Sequence, residues 1–86
     1  MKAKQEVLLF VGEHGPVDAA TVADSLGYDT VGGAGATLLR FHRHGHLHRA
    51  RTDAGYLYSL SAKGRQWLAW YAREREDDAQ VDATAE

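Results

Sequence analysis

Between Asp18 and Phe41, apolar residues recur twice at helical spacing, with only a few residues between the two runs. In "DAATVADSLGYD", Ala19, Val22, Ala23 and Leu26 fall at i, i+3, i+4 and i+7, which is one face of a short helix. Asp18 is placed to cap it, because a carboxylate there accepts orphan amides of the first turn. Gly27 suits the left-handed position just past its end. In "TVGGAGATLLRFHRHG", Val31, Ala34, Leu38 and Phe41 lie within an arc of about 80° when successive residues are set 100° apart. That is a second buried stripe, capped by Asp29 or Thr30 and ended by Gly45. Two short helices joined by so tight a turn can bury both stripes only by crossing over a shared core.

The flanking segments supply the rest of that core. "MKAKQEVLLFVGEHGP" carries Val7, Leu8 and Val11, with Ala3 and Phe10 beside them, so an amphipathic helix over 2–14 is expected before Gly15 and Pro16 stop it. Val17 is expected to form a short extended piece. "HLHRARTDAGYLYSL" alternates at Leu47, Tyr56, Tyr58 and Leu60 around the turn residues "TDAG", the pattern of a hairpin. Ser61 then caps a last helix, with Gly64, Trp67, Leu68 and Tyr71 along one side and Trp70 on a flank. The order is helix, short extended piece, helix, helix, hairpin, helix, and the two central helices read as a helix-turn-helix. The fold class expected is α+β, mostly helical.

Eighty-six residues leave room for one hydrophobic core. No apolar run approaches the roughly 18 residues of a membrane span, and the short apolar stretch after Lys2 and Lys4 lacks the cleavage signal of a leader. A cytoplasmic protein is expected. The absence of cysteine excludes disulfides, thiolate metal sites and cysteine nucleophiles. The formal charge of −2 hides an asymmetry. Glu74, Glu76, Asp77, Asp78, Asp82 and Glu86 stand against Arg75 alone, while residues 1–73 hold nine Lys or Arg against six Asp or Glu. A mildly basic body over 1–76 thus precedes an acidic segment over 77–86, expected to be disordered, which either keeps the chain soluble or shields the basic face.

Three stretches carry a resemblance to a known family. "GPVDAATVADSLGYD", "ATLLRFHRHGHLHRAR" and "GYLYSLSAKGRQWL" resemble the second helix with its turn, the recognition helix running into the first wing strand, and the second wing strand with the helix after it. These are segments of the winged helix-turn-helix domain of prokaryotic transcriptional regulators of the MarR-, ArsR- and PadR-like group. The resemblance covers about residues 5–72. It implies a three-helix core, a β-hairpin wing over 46–60 and a C-terminal helix. It also implies double-stranded DNA as partner, with Thr30, Gly33, Thr37, Arg40, Arg43 and His44 of a recognition helix over 30–44 meeting the major groove. Arg49, Arg51 and Thr52 of the wing would meet the backbone or minor groove. The chain departs from the pattern at Gly32, Gly33 and Ala36, where the outward face of the recognition helix is bare. Close approach of backbone amides to phosphate accounts for these residues, and so does a loose helix start.

"RFHRHGHLHRAR", residues 40–51, packs four histidines and four arginines together. A tetrahedral metal site needs three or four ligands converging on one point. His42 and His44, two apart near a helix end, diverge by about 200°, whereas His46 and His48 flank Leu47 and are expected on the outward face of the wing, where they could form only a bidentate pair. No metal and no cofactor are expected, and one histidine of the set is a candidate for a buried hydrogen-bonding joint. Arg40, Arg43, Arg49 and Arg51 make a DNA-contacting surface the stronger reading, since guanidinium groups fork onto phosphate and guanine edges. No nucleophile–base–orienter set stands out, and "GGAG" lacks the lysine of a phosphate loop, so no enzyme activity is expected.

Trp67, Trp70 and Tyr71 present more aromatic area than so small a core absorbs, which leads us to expect a homodimer through the last helix. No small-molecule effector domain is expected. The resulting expectation is a DNA-binding regulator; the competing one is a winged-helix module that binds protein and not DNA.

Overall fold

The computed structural model describes the backbone of residues 3–85 and the side chains of residues 3–74. Helix α1 spans Lys4–His14, α2 Ala19–Leu26 and α3 Val31–Arg43; strands β1 Leu47–Thr52 and β2 Gly55–Leu60 follow, and α4 spans Ala62–Ala85. The backbone of α4 continues as helix into the stretch expected to be a disordered tail. The side chains of that acidic stretch, 77–86, lie outside the described residues.

Local chemistry sets the boundaries. The Thr21 amide donates to the Asp18 carboxylate at 2.8 Å, and hydrogen bonds from Thr21 hold that carboxyl below its usual pKa. Gly27 ends α2 in the left-handed region at φ 75°. Thr30, not Asp29, caps α3: its hydroxyl oxygen accepts from the Gly33 amide at 2.9 Å. The strands pair antiparallel from Leu47↔Leu60 to Thr52↔Gly55, so the turn is Asp53–Ala54. Val17 adds the expected extended residue, exchanging both backbone hydrogen bonds with Tyr58 at 2.8 and 2.9 Å.

The core gathers Val7, Leu8 and Val11 of α1, Val22 and Ala23 of α2, Ala34, Leu38 and Phe41 of α3, and Leu47, Tyr58 and Leu60 of the hairpin, with Val17 beside them. Each buried stripe is the one that helical or alternating spacing predicts. Two residues depart from it. Val31, expected in the buried stripe of α3, is 52% exposed. It is the first residue of the helix and stands at the rim of the core, where no element covers it. Tyr56 faces the same side as Tyr58 but is also exposed, because the hairpin runs on past the body.

Candidate nucleic-acid interface

The outward face of α3 is assembled from residues opposite Ala34, Leu38 and Phe41. Thr30, Gly32, Gly33 and Ala36 are exposed at its N-terminal end, and Arg40, Arg43 and His44 at its C-terminal end. A Cβ at Gly32 would meet nothing closer than the Thr30 hydroxyl at 4.0 Å, so that face is bare backbone open to solvent. Gly33 is different: a Cβ there would press the same capping hydroxyl at 3.2 Å. The Thr30 oxygen is committed to the cap, and Thr37 is half-buried with its hydroxyl donating to the Gly33 carbonyl at 3.1 Å. Both threonines therefore serve the helix start first. Arg40 lays its guanidinium 5.2 Å from the Phe41 ring centroid, while Arg43 is exposed.

The wing places Leu47, Arg49 and Arg51 on one face, across from Leu60, Tyr58 and Tyr56. Its root is buried in the core and its distal half is exposed. The Arg49 guanidinium sits 4.1 Å from the Tyr56 ring centroid, a cation–π contact that aims it along the strand pair. At the tip, the Thr52 hydroxyl donates to the Gly55 carbonyl at 2.7 Å and accepts from the Ala54 amide at 3.3 Å, so this side chain builds the turn. Between wing and α3 runs a cleft of about 310 Å³, lined by Asp18, Ala19 and Ala20 of the α2 start, Val31 and Gly35 of α3, and Ala54, Tyr56 and Tyr58 of the wing. Periodicity gave no sign of this cleft, because it is formed between elements and not along one.

The four histidines of 40–51 take four different positions. His42 Nδ1 lies 3.0 Å from the Leu47 carbonyl; since a carbonyl only accepts, that nitrogen carries the proton, and the ring ties the end of α3 to the start of β1. His44 is exposed, and its carbonyl accepts from Lys63 Nζ at 2.8 Å. His48 is exposed on the wing face opposite Arg49. His46 corrects the expectation that it shares that outward face: it is 7% exposed and precedes the strand. Gly45, at φ 85°, turns the chain so that the His46 amide donates to the Phe41 carbonyl at 3.0 Å and the ring packs inward, edge-on to Trp67 at 6.4 Å. Its Nδ1 has no hydrogen-bond partner. Burial lowers its pKa, and Lys4, Lys63 and His44 lower it further. Among the described residues no three or more metal-binding side chains gather. Ser61 completes the joint, donating to the Gly45 carbonyl at 2.6 Å and accepting from the Gly64 amide at 3.0 Å.

On α4, Trp67 and Tyr71 stack at 5.2 Å and are half-buried, and Trp70 is 49% exposed. A second groove of about 310 Å³ runs between α1 and α4, lined by Gln5, Leu9, Leu68, Tyr71 and Ala72, with Leu9 itself 45% exposed. Leu9 is a contributor that the aromatic pattern of α4 alone does not point to.

Three packed helices, a two-stranded wing and a closing helix define a winged helix-turn-helix domain. The same fold is found in the crystal structure of the transcriptional regulator SlyA, with a TM-score of 0.72 and 18% identity. The match covers 95% of this chain and 59% of that one, so this chain spans about three-fifths of the SlyA chain. No protein-family profile and no curated protein matches the sequence. No helix among the described residues is long and apolar enough to cross a membrane.

Proposed function

We propose that the chain is a DNA-binding transcriptional regulator that lays residues 30–44 in the major groove and the wing, residues 46–60, on the backbone or adjacent minor groove. The observation that carries this reading is the bare start of α3. A glycine inside a helix costs about 1 kcal/mol relative to alanine. Among the described residues nothing calls for one at Gly32, whose Cβ would make only an ordinary contact with the Thr30 hydroxyl at 4.0 Å. A partner whose own backbone comes close does call for one. Arg40 and Arg43 further along the same face then supply guanidinium forks for guanine edges or phosphate, and Arg49 and Arg51 of the wing supply them for the sugar–phosphate backbone. With so few side chains able to reach bases, phosphate contact provides most of the affinity.

The exposed Trp70 and the Leu9–Leu68 groove support a homodimer joined through α4 and α1, with Trp67, Trp70 and Tyr71 at its contact. A two-fold dimer reads half-sites about 34 Å apart, one turn of the duplex. Such a regulator works in the cytoplasm of a prokaryotic cell, and we assign it no catalytic role.

The test is binding of a labelled random duplex of about 40 base pairs, followed by fluorescence anisotropy across a salt series. Affinity that falls steeply with salt supports the reading and justifies selecting an operator. No binding at low salt favours a protein partner, which the small outward residues of α3 would also admit.

A further inference from the structure

At the root of the wing, basic groups from three parts of the chain meet around one indole ring. Lys4 of α1 holds its Nζ 4.7 Å from the Trp67 ring centroid and 5.8 Å from that of Phe41. Lys63 stands one turn before Trp67 on α4, on the same side of the helix. Its Nζ donates to the His44 carbonyl at 2.8 Å and keeps two further N–H groups. His46, in the turn before β1, packs its buried ring against Trp67 and has an Nδ1 without a partner.

Among the described residues no carboxylate pairs with these groups. Among the described residues the one ion pair is His14–Glu13, at the far end of α1. Every charged group that acts on His46 is basic: Lys4, Lys63 and His44. Lys4 in turn is shifted down by burial and by Lys63. Cations brought together and partly removed from water repel one another unless an anion joins them.

We propose that Lys4 and Lys63 form a phosphate-binding site beside Trp67 and the buried His46 ring. A phosphate group there accepts hydrogen bonds from both ammonium groups, which removes their mutual repulsion and offsets the positive field that Lys4 and Lys63 set up at the buried His46 ring. The phosphate is either one of the DNA backbone, beyond those met by α3 and the wing, or a free phosphate or phosphorylated small molecule.

The first measurement follows the His46 ring resonances of the whole chain by NMR while inorganic phosphate replaces chloride at constant ionic strength, with no DNA present. We expect a saturable shift, weakened roughly tenfold by Lys4→Gln or Lys63→Gln, the weight of one hydrogen bond to a charged group. No response beyond that to chloride, or an equal response in both variants, overturns the proposal. This arm stands apart from the regulator reading, because DNA takes no part in it. The source of the phosphate is then read from DNA binding by the same variants. A salt-dependence slope reduced by about 0.9 assigns a backbone phosphate. A slope unchanged while inorganic phosphate still binds the wild type assigns the free ligand.

Discussion

Gly64 of α4 and the carbonyl oxygen of His46 lie so close that no Cβ fits between them. This contact sets α4 against the turn that joins α3 to the wing. It also leaves the His46 amide and carbonyl paired, with Phe41 and Ser61 respectively. Helix α3, the wing and α4 are therefore held at one point.

Gly64→Ala should accordingly destabilise the fold by about 1–3 kcal/mol, the range for forcing an extra methyl into a packed site. Urea unfolding measures it. Gly32→Ala is the control with the opposite sign, because a Cβ there is accommodated without a clash and alanine is the better helix former. It should stabilise by about 0.5–1 kcal/mol. In the regulator reading the same substitution weakens DNA binding, so stability and affinity move apart. A Gly32→Ala chain that binds DNA as well as the wild type removes close approach as the reason for the glycine.

Stability should also depend on pH through His46. Its folded-state pKa lies below the ordinary value of 6.5, so the folded protein holds it neutral while the unfolded chain takes up a proton more readily. Its stabilising contribution is complete above about pH 6.5 and is lost as pH falls through that value toward the folded pKa. Thermal unfolding between pH 7.5 and 5 should show a falling Tm that flattens in His46→Gln. An equally steep fall in the variant would place the proton uptake elsewhere. The Asp18 cap acts at lower pH: its carboxyl is held below its usual value, so that contribution is present at neutral pH and lost on strong acidification.

The arginines separate by role. Arg40→Ala and Arg43→Ala should each cost about 1–3 kcal/mol on a selected operator and relax the preference at one base pair. Arg51→Ala should weaken all sequences alike and lower the salt slope by about 1. Competition binding with matched and mismatched duplexes makes the distinction, and three variants with wild-type affinity would leave α3 and the wing without a role on DNA.

Trp70→Ser tests the proposed dimer. At 49% exposure the ring contributes little to its own protomer's core. The substitution should therefore leave unfolding almost unchanged while shifting sedimentation from dimer toward monomer. A wild-type chain that sediments as a monomer at high concentration rules out this contact.

What the sequence determined by itself is everything written in local chemistry. Asp18 and Thr30 start helices because short polar side chains satisfy free amides, and Gly27 ends one because glycine, with no Cβ, takes the left-handed conformation without steric penalty. The stripes Val7–Leu8–Val11, Ala34–Leu38–Phe41 and Leu47/Tyr58/Leu60 are legible because helix and strand periods assign one face inward. Tertiary structure decided where that inward face runs out. Val31 and Tyr56 carry the right phase but sit beyond the last packed layer, so both line a cleft instead of filling a core. His46 shows the opposite failure: alternation with Leu47 and His48 sets it outward, but the strand begins one residue later. The turn at Gly45 and the space left by Gly64 draw its ring inside against Trp67. A period reports the direction of a side chain along one element. Only the packing of the other elements decides whether anything stands there to bury it.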